Sequence, residues 1–189
     1  AIANTLSPGD GILMFDSGQF SKIWIKMANQ FGLDTKIIEN DWRRAASPEE
    51  IEQVLREDTG DHIKAVFVVH NETSTGVTAR IPEIRKAMDA ANHPALLIVD
   101  TISSLASMDY RHDEWGVDVS IGGSQKGLML PPGLSFNAVS TKARKASETA
   151  TMPKFYFDWA WMRENNADGF FPYPPAINLF YGLRESLNM

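Results

Sequence analysis

The amino-acid sequence predicts a layered α/β protein: a mostly parallel, mixed β-sheet flanked by helices. Three observations carry that prediction. Short apolar runs alternate with helical patterns along the chain. The two clearest runs, Ala65–Val69 and Ala95–Val99, are apolar at every position. Polar segments rich in hydroxyls and glycine follow several of the runs. A strand that is apolar throughout is buried on both faces, which is the signature of a parallel sheet covered by helices on either side.

The elements follow in order. Ala1–Thr5 reads as the end of a helix. The turn Ser7-Pro8-Gly9-Asp10 leads into the strand Ile12–Phe15. Phe20, Ile23, Trp24, Met27 and Phe31 recur at three- and four-residue intervals, which predicts a helix over 20–31. Thr35–Glu39 is a second strand. Ser47-Pro48-Glu49-Glu50 starts a helix, with Ser as N-cap, Pro at the first position and carboxylates in the first turn. After the strand Ala65–Val69 comes a helix over Ile81–Ala91, then the strand Ala95–Val99. Weaker strands are expected over Val117–Ile121 and Leu134–Val139. Residues 151–175, rich in aromatics and prolines, are expected to be an irregular excursion from the sheet. Asn178–Leu187 reads as a helix.

Composition narrows the function. The chain has 189 residues, with 43% apolar and 22% charged, enough for one domain with a substantial core. Its net charge of -6 repels phosphate backbones, so no nucleic-acid partner is expected. There is no cysteine, which excludes disulfides, thiolate metal sites and thiol catalysis. No apolar run is long enough to span a bilayer, so no membrane association is expected. The first residues carry no basic stretch of the signal-peptide kind. His112-Asp113-Glu114 reads as a solvated loop and not as a metal site, because adjacent residues rarely converge on one ion. Ser103-Ser104 has no nucleophile-elbow pattern, which argues against a serine hydrolase.

Four strand ends could carry chemistry: Asp16-Ser17-Gly18-Gln19-Phe20, His70 to Gly76, Asp100-Thr101 and Gly122 to Gly127. A carboxylate at the end of a buried strand is costly unless paired or hydrogen-bonded. Asp100 therefore reads either as a loop anchor, its commoner role, or as the partner of a cationic ligand atom. Lys126 sits between small residues and the apolar run Leu128-Met129-Leu130-Pro131-Pro132-Gly133. Such flanks predict a desolvated amine, a better nucleophile than an exposed one. Ser124 and Gln125 offer donors suited to a phosphate. An acid, a lysine, phosphate donors and an aromatic ring form the set that pyridoxal phosphate (PLP) requires. His70 reads as a structural hydrogen-bonder, and Trp24 as core and not ligand.

His70-Asn71-Glu72-Thr73-Ser74-Thr75-Gly76, Val99-Asp100-Thr101-Ile102-Ser103-Ser104 and Gly123-Ser124-Gln125-Lys126-Gly127 through Gly133 together resemble the class V aminotransferase family of fold type I PLP enzymes. The resemblance covers essentially the whole chain. Within the family it is strongest to the serine–glyoxylate branch, favoured by Tyr110 to Asp118, with the alanine–glyoxylate branch next. It implies the three-layer large domain of that fold over residues 1–189, and a homodimer acting on small amino acids and 2-oxo acids. Serine or alanine would give its amino group to glyoxylate. Lys126 would attach PLP covalently and move the α-proton, and Asp100 would hold the pyridine nitrogen protonated. Phe20 would stack on the ring. Thr73, with Ser74, would bond near the ring hydroxyl. Gln125, with Ser124, would bind the phosphate.

The resemblance also marks departures. The family's upstream phosphate-binding segment and C-terminal small domain are not within these 189 residues, so the chain is expected to be a piece of a longer protein. Many relatives carry Thr where this chain has Pro174, which removes a hydroxyl that reaches the partner subunit's phosphate. A cytoplasmic location is expected, or a peroxisomal one in a eukaryote. Two other functions stay open: a lyase- or epimerase-like PLP enzyme, and a non-catalytic fragment serving only as a binding or dimerisation module. The absence of cysteine weighs against sulfur-handling relatives.

Overall fold

The computed structural model describes residues 1–189. Its first half runs α1 (Ile2–Thr5), β1 (Gly11–Asp16), α2 (Gln19–Gln30), β2 (Asp34–Glu39), α3 (Pro48–Glu57) and β3 (Ile63–Val69). A small hairpin, β4 (Asn71–Glu72) and β5 (Val77–Thr78), precedes α4 (Ile81–Ala90) and β6 (Leu96–Asp100). The rest comprises β7 (Val119–Gly123), β8 (Ser135–Val139), α5 (Thr141–Ser147), α6 (Trp159–Ala167) and α7 (Ile177–Leu187). No helix is long and apolar enough to cross a membrane.

Six strands form one sheet in the order β2-β1-β3-β6-β7-β8. All neighbours pair in parallel except β7 and β8, which are antiparallel. The expected mostly parallel mixed sheet between helical layers is therefore the observed architecture. Alternation within the apolar strands explains it. Leu13, Val66, Val68, Leu97 and Val99 join one core cluster with Ile51, Leu55, Ile84 and Met88 of α3 and α4. Ile12, Met14, Ala65, Phe67, Leu96 and Ile98 join a second cluster on the other face, with Ile2, Ala28 and Ala143 of α1, α2 and α5. Each such Leu or Ile side chain contributes about 1.5–3 kcal/mol of hydrophobic burial.

Local signals fix the helix ends. The Ser47 hydroxyl accepts from the Glu50 N–H at 3.3 Å, and Pro48 opens α3, as expected. One expectation is corrected. Residues 151–175 are not wholly irregular, because they contain α6, capped by the Asp158 carboxylate accepting from the Ala160 N–H at 2.8 Å. None of its residues is buried, so no apolar stripe marked it in the sequence. The sequence reading also passed over α5 and the β4–β5 hairpin.

Candidate active site

The parallel strands β1, β3, β6 and β7 end on the same edge of the sheet. From β1 the chain passes to β2 on one side, whereas β3, β6 and β7 lie on the other. Ligands of open α/β sheets gather outside the carboxyl ends at such a reversal. The four segments singled out in the sequence all leave from this edge.

Asp100 ends β6 beside a small cavity lined by Met14, Ser21, Trp24, Phe67 and Val69. Its Oδ1 accepts the Ile102 N–H and its Oδ2 accepts the Trp24 indole N–H, both at 2.8 Å. Burial pushes its carboxyl above the usual carboxylate range. The two N–H donors pull it back, and the Glu72 carboxylate adds to the rise. Asp100 is thus a half-buried acid whose charged form would be favoured by a nearby cation.

Lys126 lies three residues beyond β7, the strand paired with β6 through Asp100↔Ile121. Its loop is closely braced. The Ser124 hydroxyl donates to the Pro131 carbonyl at 2.7 Å and accepts the Leu134 N–H at 3.2 Å, and the Ser124 N–H donates to the Leu134 carbonyl. The Ser186 hydroxyl of α7 donates to the Leu128 carbonyl at 2.6 Å. Gly127 approaches the turn after β6 so closely that a Cβ there would lie 2.2 Å from the Leu105 carbonyl oxygen. The Lys126 side chain is exposed and has no hydrogen-bond or ion-pair partner. The expected desolvation is therefore not supplied by this chain, because its apolar neighbours Leu128 and Leu130 turn inward and leave the amine uncovered.

The other candidates divide. Gln125 is exposed, and its amide oxygen lies 3.0 Å from where a Cβ on Gly123 would sit. Thr73 is exposed, with its hydroxyl unpartnered. Phe20 is 42% exposed at the start of α2, a face open for stacking. Ser124 is fully buried with its one hydroxyl proton given to Pro131, so it braces the lysine loop and does not donate to a phosphate. The Ser74 hydroxyl likewise donates to Glu72 at 2.7 Å and accepts the Gln19 N–H at 2.9 Å. It ties the hairpin turn to α2 and has no proton left for a ligand.

Two residues that carry the site were not singled out as such from sequence. Glu72 is 1% exposed and accepts the N–H groups of Phe20 and Ser21 at 3.1 Å, capping α2 from across the sheet edge. Gly18 makes room, since a Cβ there would lie 2.5 Å from the Glu72 Cγ. Trp24 packs on Phe67 as the core reading expects, yet its polar edge holds Asp100. The signal available was its position one helical turn beyond Phe20. His70 is buried, bonds Ser104 through Nδ1 at 2.9 Å and packs against Tyr110 and Trp115, a structural role.

The family model described as "Aminotransferase class-V" matches residues 1–158. The chain is 52% identical over 192 residues to the serine–glyoxylate aminotransferase of Methylorubrum extorquens, covering 99% of this chain and 48% of that protein. It is 48% identical over 186 residues to the L-aspartate–glyoxylate aminotransferase of Paracoccus denitrificans, covering 98% of this chain and 47% of that one. The crystal structure of an alanine–glyoxylate aminotransferase from Nostoc sp. matches with a TM-score of 0.88 at 31% identity, over 98% of this chain and 49% of that chain. The chain spans about half the length of the curated relatives it matches.

Proposed function

Since the chain belongs to the class-V aminotransferase family, we propose that residues 1–189 form the PLP-binding large domain of an enzyme that moves an amino group from serine or alanine to glyoxylate, giving glycine and a 2-oxo acid. The observation that carries this is a half-buried acid, Asp100, at the end of β6, with a free amine, Lys126, three residues beyond the adjacent parallel strand β7.

The donor set fits the cofactor. Lys126 offers an unpaired primary amine for covalent attachment. Asp100 offers a half-buried carboxylate for a protonated ring nitrogen, and the positive charge there would favour its ionised form. Gln125 offers an amide to the phosphate, Thr73 a hydroxyl near the ring hydroxyl, and Phe20 a ring for stacking. When bound, PLP supplies the electron sink that lets the α-proton of an amino acid leave. The chain's own part is to move that proton and to orient the ring. The amine of Lys126 would act as general base, accepting the proton from the substrate Cα and later returning it. Ser124 and Gly127 brace the loop that carries Lys126, and Glu72 holds the first turn of α2, which carries Phe20.

Serine as donor is supported by the serine–glyoxylate activity named for the Methylorubrum relative, with alanine and aspartate named for others. These names favour transamination over a lyase- or epimerase-like reaction. A homodimer is supported by the surface around α6 and α7. Phe155, Phe157, Phe170, Tyr181 and Leu187 are each more than 60% exposed there, an apolar area that suits a partner subunit. The test is glycine formation from glyoxylate with PLP and serine, alanine or aspartate in turn. The expected order puts serine first, and no glycine from any donor, in a protein that takes up PLP, overturns the assignment.

A further inference from the structure

Helix α2 presents a second aromatic to the site, Trp24, for which the chemistry above has no use. Its indole is not oriented as core filler alone. The ring packs on Phe67 with centroids 5.4 Å apart, while Nε1 points out of the apolar cluster and donates to Asp100 Oδ2 at 2.8 Å. The other oxygen, Oδ1, takes the Ile102 N–H at 2.8 Å. The carboxylate is thus held by donors from two separate elements, α2 and the turn after β6, which fixes its plane. A carboxylate oxygen has more than one lone pair, so Oδ2 can accept a further N–H while keeping the indole.

We propose that Trp24 is a positioning residue whose indole N–H holds the Asp100 carboxylate, in place and charged, for the ring nitrogen of the bound cofactor. This rests on the reading that Asp100 meets that nitrogen. Charge considerations point the same way. Burial and the Glu72 carboxylate, from β4, both disfavour the ionised form of Asp100, and the N–H groups of Ile102 and Trp24 oppose them. Without the indole, the Ile102 N–H alone would stand against both. The placement of Trp24 is itself secured, because Glu72 accepts from Phe20 and Ser21 and so clamps the first turn of the same helix.

The test begins without cofactor. In nitrogen-labelled protein the five tryptophans give separate indole N–H resonances, and Trp24→Phe identifies one of them. That resonance should shift on acidification, with a midpoint above the ordinary carboxylate range, and the shift should vanish in Asp100→Asn. The four remaining indole resonances report whether Trp24→Phe is folded. A PLP titration read by absorbance should then show Trp24→Phe binding about tenfold or more weaker, as expected for one lost bond to a charged group. Trp24→His, which restores a ring N–H, should recover part of the loss. A Trp24 resonance indifferent to pH, or cofactor binding by folded Trp24→Phe within twofold of the unaltered protein, overturns the proposal. If the unaltered protein takes up no PLP, the cofactor reading fails and this one with it. Uptake that is the same with and without the indole refutes only the role of Trp24.

Discussion

Glu72→Ala should destabilise the protein far more than a change near an exposed turn ordinarily does. The side chain is 1% exposed and accepts four hydrogen bonds, from the N–H groups of Phe20, Ser21 and Ser74 and from the Ser74 hydroxyl. The Ser21 N–H is buried and loses its acceptor outright, whereas the donors of Phe20 and Ser74 can turn to water. One orphaned buried N–H costs about 1–3 kcal/mol, and loss of a helix cap about 1 kcal/mol more, so the total is roughly 2–4 kcal/mol. For a domain of this size that corresponds to a fall in Tm of roughly 5–15 °C. Glu72→Gln keeps the shape and an accepting oxygen, so it should lose less. It also removes the charge facing Asp100, so the Asp100 titration should move down. Calorimetry together with urea unfolding reads both variants. A loss within about 0.5 kcal/mol for Glu72→Ala, the range of an ordinary surface substitution, would show that the clamp on α2 does not exist.

Asp100→Asn should stabilise the cofactor-free protein more at neutral pH than in acid. Its folded pKa is raised by burial, so the stability tied to its protonated form is full below the unfolded value and is lost as pH rises through the folded one. Unfolding curves at several pH values check this, and a difference independent of pH contradicts it. Ser124→Ala should cost about 1–2 kcal/mol through the loosened lysine loop, measured by urea unfolding. Gln125→Ala, at an exposed position, should leave stability unchanged and weaken PLP uptake instead. Gly127→Ala must push the lysine loop off the Leu105 carbonyl, at about 1–3 kcal/mol by calorimetry.

The sheet was legible because its strands are covered on both faces. Val66 and Phe67 point to different core clusters, yet both are buried, and that produces the unbroken apolar runs. The start of α3 was legible because Ser47, Pro48 and the following carboxylates act within one turn. Helix α6 lacked any such mark, since it buries none of its residues and takes its cap from Asp158 alone. Asp100 and Lys126 stood out because the first ends a buried strand and the second lies three residues beyond the next strand, between small residues and an apolar run. The fates of the hydroxyls did not, because they depend on distant partners. The Ser74 proton goes to Glu72, but its oxygen is taken by the N–H of Gln19, 55 residues away. Trp24 shows the same limit: helical spacing gives its packing on Phe67, but its polar edge meets a residue 76 positions along the chain.

The central claim is that Lys126 carries the cofactor. Reducing the PLP-treated protein with borohydride converts any lysine–cofactor linkage into a stable amine, and peptide mass spectrometry then locates it. The account predicts the added mass on the peptide containing Lys126, at one site per chain, and its loss in Lys126→Ala while the fold is retained. Labelling of another lysine such as Lys142 in its place, or no label on a folded chain, would contradict it.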